Sequence, residues 1–244
     1  MSNSLPVKQI FAMGGGGFST EPKHPLLDKY ILGLVDKDKP RVCFLPTASG
    51  DSAQYIVEFY SAFGKLSCTP SHLSLFNLPT TDLKTFVLEQ NIIYVGGGSP
   101  KNLIALWREW ELDKILREAW EKGTILCGLS AGSMCWFEAG ISAYAPGSLN
   151  NPVKCLGFLK GSHCPHYDQE PERRLAYHRL LSEGLLDDGY AADNGIGLHF
   201  VDNRLEKIVS SRLNAKAYRV EKIGETVKET PLQATYLGVE PRYK

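Results

Sequence analysis

The chain lacks a C-x-x-C pair, an excess of either charge and a long apolar run, and each absence closes off a class of function. Its six cysteines (Cys43, Cys68, Cys127, Cys135, Cys155 and Cys164) are scattered, several within apolar runs. Such spacing builds neither a zinc site nor a disulfide framework, and it reads as the reduced core thiols of a cytoplasmic protein. Lys+Arg and Asp+Glu both total 27, so no global field recruits nucleic acid or an anionic membrane. No run approaches the roughly 20 apolar residues that span a bilayer. The N-terminal MSNSLPVKQIFAMGGGG has no basic region followed by a long apolar one, so a secretory signal is not expected. No repeat, low-complexity segment or linker divides the sequence, and 244 residues suffice for one large α/β domain over 1–244.

What is present is an alternation of apolar runs and amphipathic stretches. Buried strands are expected at Val7–Met13, Arg41–Pro46, Ser71–Phe76, Asn91–Val95 and Ile125–Cys127. Helices are expected at Pro25–Val35, Ala53–Phe63, Asp82–Gln90, Asn102–Trp110 and Asp113–Lys122, with Trp107, Trp110 and Trp120 packing inward. Ser99 caps the fourth of these with Pro100 at its first position. Residues 139–155 read as a loop. A helix with an acidic first turn follows Glu170, then strands near Tyr190–Ala192 and Ile196–Val201, and a C-terminal hairpin of Arg204–Ser210 with Ala217–Glu221. The alternation predicts an α/β fold, a single doubly wound, mostly parallel sheet with helices on both faces.

Within that frame, Gly128-Leu129-Ser130-Ala131-Gly132 is a G-x-S-x-G pattern between a short apolar run and Met134-Cys135-Trp136-Phe137, which could continue as a buried helix. Glycines on either side let the backbone double back and leave the Ser130 hydroxyl exposed, while the following helix aims free N–H groups at the same spot. The alternative is an ordinary Gly/Ser turn. Two further glycine runs, Gly14–Gly17 and Gly96–Gly98, follow strands; the first allows close backbone approach or unusual dihedrals, and it does not fit a dinucleotide fingerprint. In an open sheet, the turns after Val95 and Cys127 face one cleft.

Serine needs a base. Of the six histidines (24, 72, 163, 166, 178 and 199), His166 stands out between Pro165 and Tyr167 in a short loop, where catalytic side chains tend to sit; the alternative is a half-buried loop histidine satisfied by backbone. Candidates for the group that orients it are Glu138, Asp168, Asp187, Asp188 and Asp193. The N–H of Ala131 is one natural oxyanion donor, and Gly97 or Gly98 the other.

Gly128–Gly132, Gly96–Gly98 and Cys164-Pro165-His166-Tyr167, in this order, resemble the peptidase E (aspartyl dipeptidase) family, related to cyanophycinase. The resemblance covers most of the chain, from the first glycine turn to about Tyr218. It implies a fold like the class I glutamine amidotransferase domains, a nucleophile at Ser130, a base at His166, and an oxyanion hole from the Gly98 region and Ala131. It also implies hydrolysis of dipeptides with an N-terminal aspartate, or of aspartate-rich polymers. Relatives place an acid where this chain has Asn194; Asp193 could serve by a one-residue slip, and Glu138 by lying along the helix expected after Ser130. Arg173 and Arg174 are candidates for a carboxylate clamp, or for a solvated ion-paired face. The expected function is a serine peptidase acting on short peptides, foremost dipeptides with N-terminal Asp, through Ser130, His166 and an acid, with no metal or cofactor. The alternative is a weakly active or non-catalytic peptide-binding or small-molecule-binding protein on the same scaffold. A cysteine-based enzyme is disfavoured by serine at the elbow, and a homodimer is left open.

Overall fold

The computed structural model describes residues 6–169 and 171–239. The N-terminal reading falls partly on residues 1–5 and the acidic first turn partly on Glu170, outside the described residues; Glu172 does stand in the first turn of its helix. In chain order the first half runs β1 (Gln9–Met13), α1 (Gly17–Thr20), α2 (Leu26–Leu32), β2 (Arg41–Leu45), α3 (Ala53–Phe63), β3 (Thr69–His72), α4 (Leu83–Leu88), β4 (Ile92–Val95), α5 (Pro100–Glu109), α6 (Leu112–Glu121), β5 (Ile125–Leu129) and α7 (Ala131–Met134). The second half is mostly strand: β6 (Phe137–Gly140), β7 (Val153–Lys154), β8 (Leu159–Pro165), α8 (Pro171–Ser182), β9 (Gly189–Ala192), β10 (Ile196–Val201), β11 (Arg204–Ser210), β12 (Ala217–Ile223), β13 (Thr226–Leu232) and β14 (Thr235–Tyr236).

The main sheet has the order β14-β11-β10-β1-β5-β4-β2-β3. From β1 to β3 all pairings are parallel, while β10 runs antiparallel to β1 and to β11. Its strands read as unbroken apolar runs because both faces are covered. On β1, Ile10 and Ala12 join one core with Leu103, Trp107 and Leu116 of α5 and α6. Phe11 and Met13 point the other way, against Leu27 and Ile31 of α2 and Phe59 and Phe63 of α3. Ser99 caps α5 through Oγ, which accepts the Asn102 N–H at 3.3 Å.

A second sheet, β13-β12-β9-β8-β6-β7, extends the single sheet expected from the sequence. The helix after Ser130 stops at Met134, and Phe137 opens β6 instead. The C-terminal strands are not a hairpin: β11 pairs with β10 and β14, whereas β12 pairs with β9 and β13 in the other sheet. Trp107 and Trp120 are buried, but Trp110 lies just past the end of α5 and is 40% exposed.

One buried charge carries a stability prediction. Asp28 on α2 has no exposure, and Tyr94 Oη donates to its Oδ1 at 3.2 Å. Its Oδ2 has no partner among the described residues. Burial pushes the carboxyl up to about 7, the Tyr94 hydrogen bond opposes this, and the Glu21 charge adds to it. An unfolded aspartate releases its proton near pH ~3.9. Between about pH 4 and 7 the folded state therefore holds a proton that the unfolded chain has lost, and stability falls as pH rises. Asp28→Asn removes that slope. Measured as Tm from pH 4 to 8, the variant should gain several degrees relative to wild type toward pH 8; a constant difference across the range would refute the assignment.

Candidate active site

Strand β5 enters the site fully buried between β1 and β4. It ends at Ser130, whose φ of 56° and ψ of −118° are strained for an L-residue. The flanking glycines are required by close approach. A Cβ on Gly128 would lie 2.3 Å from the Gly132 carbonyl oxygen, and one on Gly132 would lie 2.2 Å from the Val95 carbonyl oxygen at the end of β4. With no room for side chains there, α7 folds tightly back over β4 and β5. The Ser130 N–H donates to Met13 O at 3.2 Å, fixing the elbow to the end of β1.

The turn after β4 passes beside it. Gly98 has φ 139°, and a Cβ there would lie 2.1 Å from the Ala48 carbonyl oxygen, so this turn too admits only glycine. The Gly97 N–H donates to the half-buried Tyr55 Oη at 3.3 Å. A Cβ on Gly97 would be 3.7 Å from Ser130 Oγ. Gly98, Ser130, Ala131 and His166 all line one cavity of about 220 Å³, together with Arg173 and the loop from Ile141 to Tyr144.

His166 stands one step beyond β8, with φ 56° and its N–H donated to Gly14 O at 3.1 Å. Its Nδ1 lies 2.6 Å from Asn194 Oδ1. A carbonyl oxygen only accepts, so the proton sits on Nδ1 and the lone pair on Nε2. Asn194 is held in turn by its own N–H, donated to Asp168 Oδ1 at 2.9 Å. Gly15 packs directly behind this pair: a Cβ there would fall 1.9 Å from Asn194 Oδ1 and 3.0 Å from His166 Cε1. The close approach that the first glycine run allowed is therefore to the imidazole and its amide partner.

Neither Asp193 nor Glu138 is the partner of His166 Nδ1, and Asp168 reaches it only through Asn194. Asp193 points away, its Oδ2 accepting the Lys216 N–H at 2.8 Å, and burial raises its pKa. Glu138 lies on β6, not on a helix, and its Oε2 accepts the Gly161 N–H at 2.7 Å. Asp188 Oδ1 accepts the Lys222 N–H at 2.8 Å, and Asp187 contributes its main-chain carbonyl to Ser162. The partner is Asn194, at the position where the resemblance puts an acid and which the sequence reading passed over in favour of Asp193. Its local signal, an Asn-Gly turn after an apolar strand, by itself marks only a turn.

The two arginines separate, because consecutive helical residues point about 100° apart. Arg173 is buried, lines the cavity, and donates from Nη1 to Pro165 O at 3.1 Å. Arg174 faces outward, ion-paired to Glu229 and set over the rings of Tyr167 and Tyr218 at 5.0 and 5.7 Å. Among the described residues no carboxylate lines the cavity. Among the described residues no group of three or more His, Cys, Asp or Glu could hold a metal ion, and no helix is long and apolar enough to cross a membrane.

Mixed sheets with helices on both sides, and a serine on a strained turn at the carboxyl end of a central parallel strand, define a class I glutamine amidotransferase-like fold of the kind used by peptidases. Residues 10–208 match the model of peptidase family S51, and the chain belongs to that family. It is 56% identical over 232 residues to the uncharacterized peptidase YgaJ of Bacillus subtilis (strain 168), spanning 95% of this chain and 100% of that protein. Two solved structures share the fold. One is a peptidase from an acI-B1 Actinobacterium, with TM-score 0.65, 19% identity, and coverage of 93% of this chain and 95% of that one. The other is a candidate Peptidase E protein from Listeria monocytogenes EGD-e, with TM-score 0.62, 18% identity, and coverage of 85% and 100%.

Proposed function

We propose that this peptidase is a cytoplasmic serine peptidase that cleaves short peptides, foremost dipeptides with an N-terminal aspartate. The observation that carries the reading is the hydrogen bond from His166 Nδ1 to Asn194 Oδ1, at 2.6 Å, on an imidazole that shares its cavity with Ser130. Nε2 then takes the Ser130 proton as Oγ attacks the scissile carbonyl, and the N–H groups of Gly98 and Ala131 receive the oxyanion. The protonated imidazole gives its proton to the leaving amine. Water, deprotonated by the same nitrogen, releases the acyl group and restores the serine. Every step uses this chain's own groups and a water. The cavity, at about 220 Å³, has room for a side chain and a short stretch of backbone. The Arg173 guanidinium on the cavity wall suits an acidic residue there. Free thiols throughout, five of the six buried, suit a reducing compartment.

An amide where a triad has a carboxylate favours a second reading, a weakly active or purely binding protein. A fluorophosphonate separates the two: the peptidase is labelled at Ser130, and a binding module is not. A panel of dipeptides beginning with Asp, Glu, Asn and neutral residues then reads the preference. Equal turnover across the panel would remove the aspartate assignment and leave the serine mechanism standing.

A further inference from the structure

Beneath the site lies a second serine–histidine pair that the proposed mechanism does not use. Ser133 stands three residues after Ser130 on α7, and His163 three residues before His166 on β8. Both are wholly buried, and Ser133 Oγ lies 3.1 Å from His163 Nε2. We propose that this pair is a positioning tie that sets Ser130 against His166; the proposal rests on reading those two as nucleophile and base.

Proton counting fixes the direction of the bond. His163 Nδ1 is 3.0 Å from the Tyr190 carbonyl oxygen, which can only accept, so Nδ1 carries a proton. Burial above all pushes the imidazole down to about 3, so it is neutral wherever the protein is folded and its Nε2 needs a donor. Among the described residues the Ser133 hydroxyl is its one hydrogen-bond partner. That hydroxyl also donates to Ser130 O at 2.8 Å, a carbonyl that accepts the N–H groups of Ser133 and Met134 at 3.1 and 3.0 Å as well. Its one proton therefore sits in a three-centre contact between Nε2 and Ser130 O, which ties His163 to the elbow itself. The ring is clamped on its face as well, stacked on Phe137 with centroids 4.8 Å apart and planes at 15°.

The placement of the tie gives it a function beyond packing. Ser130 and His166 both sit at positive φ, just outside the element that carries each of them. Helix α7 has only four residues, too few to hold an orientation by itself. A bond between Ser133 and His163 joins the two carriers three residues from Ser130 and from His166, so that α7 cannot turn or slide relative to β8. Being neutral, it does not loosen as the catalytic imidazole gains and loses charge.

Ser133→Ala tests this, with phosphonylation of Ser130 by a fluorophosphonate and steady-state turnover measured per folded molecule. The tie predicts that the labelling rate constant and kcat both fall about tenfold to a hundredfold, the penalty of misplacing reacting groups by a fraction of an ångström to an ångström, while KM stays within about threefold. A role in packing alone would lower Tm and leave both rates in place. If the alanine variant does not fold, Ser133→Ala with His163→Phe removes both polar ends of the bond, so neither is left facing an unpaired partner across it; the same loss of labelling is expected. Folded variants that label within about twofold of wild type would overturn the tie while the nucleophile stands. Wild-type protein that never labels at Ser130 would overturn both.

Discussion

Ser130→Gly abolishes peptide hydrolysis and yields a protein more stable than wild type. Turnover falls by on the order of 10⁶-fold, the scale seen when a triad nucleophile is removed. Stability moves the other way because of the elbow itself. With φ 56° and ψ −118°, Ser130 occupies backbone space that an L-residue enters only under strain, of about 1–3 kcal/mol. Glycine relieves that strain at an entropic cost of about 0.5–1 kcal/mol. The net gain of about 1–2 kcal/mol raises Tm by a few degrees in a chain of this size. Ser130→Ala is the control: it loses the hydroxyl and keeps the strain, so it should match wild type in Tm and Ser130→Gly in inactivity. Residual turnover by the alanine variant above a ten-thousandth of wild type would remove Ser130 as nucleophile. Equal Tm for the alanine and glycine variants would remove the strain account and leave the nucleophile in place.

Much of the frame that presents this serine was legible from residue order. The runs that became β1, β2, β4 and β5 are buried on both faces and so read as unbroken apolar stretches. The helix Ala53–Phe63 is a plain amphipathic pattern and was expected with those bounds. Of the second sheet, β9 and β12 were expected as strands, but the sheet they form was not, because β6 and β8 carry no period. In β8, Gly161 has φ 79°, and the strand ends in proline; β6 has four residues and an irregular register with β8. Met134 to Phe137 is apolar throughout and suits helix or strand equally. What decides is Gly140, where a Cβ would meet Met134 Cγ at 2.2 Å, showing the chain packed back against itself. In the site, the serine and histidine announce themselves through local glycine and proline patterns. Their partner does not. An asparagine in a turn looks the same whether or not an imidazole stands opposite it, and Gly15 meets it only after the sheet has formed. The split between Arg173 and Arg174 likewise needs the helix to be placed before its faces can be told apart.

Asn194 is where the largest change in chemistry should follow from the smallest change in atoms. Its amide oxygen fixes the tautomer and direction of His166 but brings no charge to stabilise the imidazolium. Asn194→Ala removes the orientation, and kcat/KM should fall about 10²-fold or more. Asn194→Asp keeps an oxygen opposite Nδ1 and adds the missing charge. A carboxylate there favours the protonated ring, so the acid limb of the kcat/KM profile should move up by about one pH unit, with turnover at pH 8 no lower than wild type. Gly15→Ala reaches the same end by steric means, because its Cβ would need the space 1.9 Å from Asn194 Oδ1 and must push the amide off the ring. It should therefore reproduce the loss of Asn194→Ala, and combining the two changes should cost little more than either alone, since both remove one interaction. Full additivity in the double variant would mean that Gly15 acts elsewhere. An acid limb that stays fixed in Asn194→Asp would mean that residue 194 does not face the catalytic ring in solution.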